Sequence, residues 1–114
     1  MRKALVGVGV CALILLVTGI AHAGDRFPKA PEAQGMYDLV RIAGPALPAN
    51  EWEVKWDGNR IVFDDEPYDW NAGAGMYVHS ATGASIDVNL AGSGFVYIPA
   101  GGGEPTAGAF TKRP

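Results

Sequence analysis

The sequence predicts a small all-β domain, an antiparallel meander of five or six strands that forms an open barrel or a curved sheet after an N-terminal signal helix. Three observations indicate this class. Short runs of β-branched and aromatic residues recur, turn-forming residues separate them, and no stretch after residue 23 keeps a helical period for more than about two turns. The short connections let neighbouring strands pair, which favours the meander order.

The first 23 residues have the pattern of an export signal. Arg2 and Lys3 give a positive start, an apolar run extends to Ile20, and Ala21–Ala23 is a small-x-small cleavage motif. We therefore predict export, to the periplasm or the medium, after cleavage near Ala23. The alternative is a retained anchor, because the apolar run is nearly long enough to span a bilayer.

Composition bounds the domain that cleavage would leave. It would keep 91 of the 114 residues, enough for one domain with a modest core. Cys11 leaves with the leader, which excludes disulfides, thiolate zinc sites and thiol chemistry. Without Arg2 and Lys3, seven basic residues face twelve acidic ones, a net charge of −5. Nucleic acid and anionic lipid are therefore not expected partners.

The remaining chain divides into three parts. Residues 24–35 contain Pro28 and Pro31 among charged and small residues, which predicts a flexible lead-in. Residues 36–98 form the β domain. Residues 99–114 are rich in glycine and proline and bury too little apolar surface to order themselves, so we predict a disordered tail. The predicted strands are Met36–Ile42, Glu51–Trp56, Arg60–Phe63, Met76–Ser80, Ala84–Leu90 and Phe95–Ile98.

The hairpin from Glu51 to Asp64 is the best-defined element. Its first strand alternates apolar and charged residues, the period of a strand with one buried face. Asp57-Gly58-Asn59 supplies the turn. This apolar face is expected to pack against the apolar face of the predicted strand Ala84–Leu90, in which apolar and polar residues alternate regularly. The residues expected to be buried are Trp52, Val54, Trp56, Phe63, Ile86, Val88 and Leu90.

Three segments resemble small exported META-type and lipocalin-like domains. They are the opening strand at residues 35–44, the segment Ile61-Val62-Phe63-Asp64, and the glycine- and asparagine-rich turn at residues 70–77. The resemblance covers roughly residues 35–90 and implies an envelope β domain without catalysis. The chain departs from the META pattern because it lacks the cysteine usual in that turn.

The acidic and aromatic stretch from Asp64 to Gly75 is the candidate working surface. Tyr68, Asp69, Trp70 and Asn71 combine aromatic area with charge in a predicted loop, the kind of segment that carries binding residues. The alternative for Tyr68 and Trp70 is that they pack back onto the sheet.

The same stretch offers candidate metal ligands, Asp64, Asp65, Glu66 and Asp69, because calcium prefers several oxygen ligands on a flexible loop. The later bidentate glutamate of a calcium loop is missing, so we predict no cofactor and keep calcium as the alternative. Catalysis is not predicted, because nucleophile, base and orienting group cannot be assembled. His79 is expected to be a surface or half-buried strand residue.

The sequence thus predicts an exported, non-enzymatic β domain that binds a protein, a glycan or a small apolar ligand in the cell envelope. One alternative is an inhibitor of an exported hydrolase, whose segment Phe27–Pro31 inserts into the cleft of the enzyme. Another is a small calcium-dependent module or hydrolase. Self-association is an alternative to closure of the sheet, since either would cover exposed edges. Membrane contact is expected only through an uncleaved leader.

Overall fold

A computed structural model describes residues 24–114, and the predicted signal segment, residues 1–23, lies outside them. In the described chain, eight antiparallel strands close into a barrel. Two single-turn 3-10 helices, Pro31–Ala33 and Ala100–Gly102, precede the first strand and follow the seventh. No helix among these residues is long and apolar enough to cross a membrane. The strands are β1 (Gly35–Ala43), β2 (Glu51–Lys55), β3 (Arg60–Phe63), β4 (Glu66–Asn71), β5 (Met76–Val78), β6 (Ser85–Asn89), β7 (Gly94–Ile98) and β8 (Thr106–Lys112).

Each strand pairs with its neighbour along the chain, and β1 also pairs with β8. The predicted all-β, antiparallel class is confirmed. The described residues hold eight strands where five or six were predicted, and the sheet is closed where an open barrel or curved sheet was expected. Closure pairs both edges of the sheet within one chain, so no second copy is needed to cover them.

Strand β4 occupies the stretch that was predicted to be a loop. Asp64 and Asp65 form a two-residue turn with φ of 54° and 61°, the left-handed geometry of a tight hairpin turn that aspartate tolerates. Phe63 therefore lies opposite Glu66, and Val62 opposite Pro67. Pairing with both β3 and β5 outweighs the weak strand propensity of proline and carboxylate residues.

Strand β8 lies inside the segment that was predicted to be a disordered tail. It pairs with β1 on one side and β7 on the other. Thr106 and Phe110 are 2% and 8% exposed, and Gly108 lies between them on the same inner face. A Cβ at Gly108 would stand 2.5 Å from the Val40 carbonyl oxygen and 2.7 Å from the Phe95 ring. The glycine that suggested disorder is thus required by close packing.

Aromatic side chains fill the barrel interior. The ring centroids of Trp52 and Phe95 are 5.0 Å apart, and those of Trp52 and Phe63 are 6.2 Å apart, both at edge-to-face angles. The predicted burial of Trp52, Val54, Phe63, Ile86 and Val88 is confirmed, and Leu90 is partly buried.

Trp56 departs from the predicted buried face. Strand β2 ends at Lys55, and Trp56 has a φ of 54°, so the alternation of the strand stops before it. Its side chain is 61% exposed, and the Arg60 guanidinium lies 4.1 Å from the ring centroid. A cation–π contact with solvent access replaces the predicted core position.

The lead-in is ordered and covers one end of the barrel, which we call the lead-in end; it carries the turns at residues 56–59, 72–75 and 90–93. Phe27 is 2% exposed, with its ring centroid 5.2 Å from that of Tyr37 and 5.5 Å from that of Phe110. Its backbone N–H donates to the Tyr77 hydroxyl (2.8 Å), which donates in turn to the Gly58 carbonyl (2.5 Å). These contacts replace the predicted flexible segment.

Candidate binding site at the recess end

The four predicted site residues lie on β4, and strand alternation separates them. Tyr68 (4% exposed) and the half-buried Trp70 belong to the interior, where Trp70 meets Tyr77 edge-to-face at 5.2 Å. Asp69 and Asn71 are exposed. Asp69 accepts two hydrogen bonds from Arg60 (2.6 and 3.0 Å), and Asn71 Oδ1 accepts the Ala74 N–H (3.0 Å). The four residues do not form one surface.

The candidate metal ligands are also dispersed. Asp64 and Asp65 form the β3–β4 turn, Asp69 pairs with Arg60, and Glu66 pairs with His79. Within residues 24–114, no group of three or more histidine, cysteine, aspartate and glutamate side chains is placed to hold a metal ion.

A surface recess of about 470 Å³ lies at the end of the barrel opposite the lead-in. We call this the recess end; it carries the connections at residues 44–50, 64–65, 79–84 and 99–105. Because Glu66 lies opposite Phe63, alternation places Glu66 and Tyr68 on the inner face of β4. The lining residues are Asp64, Glu66, Tyr68, His79, Thr82, Ala84, Tyr97 and Ala100.

His79 is the buried polar centre of this recess. It is 8% exposed, and its Nε2 lies 2.9 Å from Glu66 Oε1 while its Nδ1 lies 2.8 Å from Thr82 Oγ1. A neutral imidazole carries one ring proton. With that proton on Nε2, facing the Glu66 carboxylate, Nδ1 accepts the Thr82 hydroxyl proton. The side chain that was expected to be a surface or half-buried strand residue joins β4 to the β5–β6 connection.

The order carboxylate, imidazole, hydroxyl is that of an activated-nucleophile relay. Here, however, the hydroxyl takes part in the hydrogen bonds of a turn, because Thr82 Oγ1 also accepts the Ala84 N–H (3.2 Å). The backbone N–H groups of Thr82 and Gly83 both donate to the His79 carbonyl, which closes a tight turn. The arrangement therefore fixes the turn and orients the imidazole toward Glu66.

Two tyrosines form the aromatic part of the recess. Burial raises the pKa of Tyr68 above its usual value, and the adjacent Tyr97 hydroxyl and the Glu66 and Asp64 carboxylates act in the same direction. Tyr68 therefore keeps its phenolic proton at physiological pH. The Tyr97 ring is half-buried and packs against Phe63 at 5.3 Å.

We expect the barrel to lose stability when the pH rises above 10. Burial raises the pKa of Tyr77 to about 12, and the pKa values of Tyr37 and Tyr68 also lie above the ordinary 10.0. Between the ordinary pKa of 10.0 and the raised pKa of each buried tyrosine, the unfolded chain releases phenolic protons that the folded chain retains. The free energy of unfolding therefore falls as the pH rises through this range. Phenolate absorbance should therefore develop together with the loss of the circular dichroism of the fold. Complete ionisation of all tyrosines near pH 10 without unfolding would contradict this expectation.

The recess end has an excess of negative charge. Asp64, Asp65, Glu66 and Glu104 lie at or beside its connections, whereas Arg41 near the end of β1 donates to the Gly44 carbonyl (2.8 Å). Carboxylates beside aromatic rings favour a cationic group through both charge and the negative faces of the rings.

From the sequence, Glu66 was only a candidate metal ligand and its contact with His79 was not foreseen. Thr82 and Tyr97 had no predicted functional role. Strand alternation could have shown that Glu66 faces inward, once the turn at Asp64 and Asp65 was recognised. The contact with His79 depends on a connection between two other strands, for which the sequence carries no local signal.

The fold and the site define a small eight-stranded antiparallel barrel with a packed interior and a polar, aromatic recess at one end. Comparisons of the chain with family models, with curated proteins and with solved structures found no match. The resemblance to META-type and lipocalin-like domains stays a prediction.

Proposed function

We propose that this protein is an exported, non-enzymatic β-barrel module that binds a protein partner in the cell envelope through its recess end. The observation that supports the proposal most directly is the recess itself, in which Tyr68, Tyr97 and the Glu66–His79 pair converge. A lysine or arginine side chain of the partner fits this chemistry, because it offers N–H donors to the carboxylates and a cation to the tyrosine rings.

The packed interior argues against a small apolar ligand as the main one. Barrels of this size either fill their interior with side chains or enclose one small ligand. Here the large residues Trp52, Phe63 and Tyr77 are at most 1% exposed and occupy the space that such a ligand would need. A ligand is therefore expected at the surface, where the recess lies.

The hydrolase-inhibitor alternative has less support, because the segment that would enter an enzyme is in use. Phe27 lies in the core, and Arg26 donates to Asn59 Oδ1 and to the Asp57 carbonyl. Presenting Phe27–Pro31 to an enzyme would require these contacts to break first.

The recess is expected to bind cationic peptides in preference to anionic ones. Titration of the isotope-labelled barrel with a short arginine- or lysine-containing peptide should shift the backbone resonances of residues around Glu66, His79 and Tyr97, and a glutamate-containing peptide should not. Glu66→Gln should weaken this binding about tenfold, which corresponds to the loss of about 1.4 kcal/mol from one charged hydrogen bond.

Asp57→Asn is the matched control. It removes the same charge from an exposed position at the lead-in end, so it should leave the affinity for the peptide unchanged. Equal affinity of Glu66→Gln and the unaltered barrel, or resonance shifts confined to other surfaces, would contradict the proposal. A rise in melting temperature with calcium would instead favour the calcium-dependent alternative.

A further inference from the structure

The first described residues are held against the lead-in end by hydrogen bonds. The Asp25 N–H donates to the Val88 carbonyl (2.7 Å), and Asp25 Oδ2 accepts the Leu90 N–H (2.8 Å). Two residues further on, Phe27 is buried in the core. Gly24 is therefore held in place by the residues that follow it, through the backbone and side-chain hydrogen bonds of Asp25 and the burial of Phe27.

Gly24 lies against two oxygen atoms of the barrel. A Cβ at this position would stand 2.1 Å from Asp87 Oδ1 and 2.7 Å from the Gly75 carbonyl oxygen, so a larger residue requires these groups to shift. Standard geometry places a backbone nitrogen about 2.5 Å from its own Cβ position, which puts the Gly24 nitrogen within about 4.6 Å of Asp87 Oδ1. Gly24 is also the first residue after the small-x-small motif at Ala21–Ala23.

We propose that hydrolysis of the Ala23–Gly24 peptide bond creates an ammonium group at Gly24 that binds the Asp87 carboxylate, so that removal of the leader completes the lead-in end. In the hydrolysis, catalysed by a peptidase of the export pathway, the C–N bond breaks. The hydroxyl of water bonds to the Ala23 carbonyl carbon, and its hydrogen goes to the Gly24 nitrogen. The amine then takes a proton from solvent, because ordinary α-amino groups have pKa values of about 7.7–8.0.

Cleavage changes both the charge and the number of donors at this point. An amide nitrogen has one N–H, whereas an ammonium group has three and carries a positive charge. Two charged residues follow Gly24 on the same segment, and both have other partners. The Asp25 carboxylate accepts the Leu90 N–H, and the Arg26 guanidinium donates a hydrogen bond to Asn59 Oδ1. The proposed contact between Gly24 and Asp87 lies at the lead-in end, so it does not depend on ligand binding at the recess.

The test uses the chain that begins at Gly24, with a free or an acetylated N-terminus. The free form should have a melting temperature a few degrees higher than the acetylated form, and its α-amino pKa, followed by nuclear magnetic resonance, should exceed the ordinary range by about one unit. Asp87→Asn in both forms completes a double-mutant cycle, which isolates the coupling from the other contacts of Asp87. In Asp87→Asn, acetylation should have little effect and the amine should titrate normally. The exported full-length chain should yield a mature form that begins at Gly24 by mass spectrometry.

A chain that begins at Ala23 provides a second test, which applies even where Asp87→Asn does not fold. It keeps Asp87 but moves the ammonium group by one residue, about 3.8 Å along the chain, so its α-amino pKa should be ordinary. An exported chain that begins elsewhere would overturn the inference. So would an ordinary α-amino pKa at Gly24, or an acetylation effect that is the same with Asp87 and with Asn at this position.

Discussion

A chain truncated after Pro105 is expected to lose the cooperative fold of the barrel, although the deleted residues contain a single aromatic side chain. Strand β8 pairs with β1 over Tyr37–Ala43 and with β7 over Gly94–Tyr97. Its removal leaves two unpaired edges and uncovers the rings that contact Phe110. Circular dichroism and urea unfolding should show the loss of a cooperative transition. A native spectrum with an unchanged unfolding midpoint would show that residues 106–114 are dispensable, as a disordered tail would be.

A point substitution tests the same strand without shortening it. Gly108→Ala places a methyl group within 2.5 Å of the Val40 carbonyl oxygen and 2.7 Å of the Phe95 ring, so the strands or the ring must move. Overpacking of this kind costs about 1–3 kcal/mol in the free energy of unfolding. Thr111→Ala, at an exposed position of the same strand, is the control and should change stability by less than about 0.5 kcal/mol.

Strand β8 also shows why the sequence was sufficient for some elements and insufficient for others. The hairpin from Glu51 to Asp64 was predictable because Trp52 and Val54 are large, apolar and two residues apart. In β8 the inner face is built from Thr106, Gly108 and Phe110, and alanines lie between them. The inward and outward positions do alternate, but the inward residues of β8 are too small to show it in the sequence. The large side chain that fills the space beside Gly108 is Phe95, which belongs to the neighbouring strand. Local hydrophobicity cannot report a partner that is distant in sequence.

The prediction of the candidate site was incomplete for the same reason, because the sequence does not show which distant residues meet. Its acidic and aromatic residues indicated the stretch after Asp64 as the working surface, and this stretch does supply Glu66 and Tyr68 to the recess. Which side chains of this stretch face the barrel interior depends on the length of the turn that precedes it. A two-residue turn at 64–65 places Glu66 opposite Phe63 and so on the inner face, whereas a longer loop would have left the phase undefined. His79 and Tyr97 reach the recess only because β5 and β7 follow in a closed barrel.

Phe27→Ala is expected to lower the free energy of unfolding by about 3–5 kcal/mol, the range for removing a buried phenylalanine. The side chain is 2% exposed and its ring contacts Tyr37, Trp52, Tyr77 and Phe110 at centroid distances of 5.2–6.4 Å. Since small domains are commonly stable by about 5–15 kcal/mol, this one residue of the lead-in would account for a large part of the total. Urea unfolding followed by tryptophan fluorescence measures the change.

The control for this substitution lies two residues away. Lys29→Ala alters an exposed side chain of the same segment, so its effect on stability should stay within about 0.5 kcal/mol. The pair of variants also separates two roles of the lead-in. A segment that works by entering the cleft of a hydrolase must be free in the isolated protein, and Phe27→Ala would then impair inhibition and leave the unfolding midpoint unchanged. A lead-in that belongs to the core gives the opposite result, because the stability of the barrel falls before any partner is added.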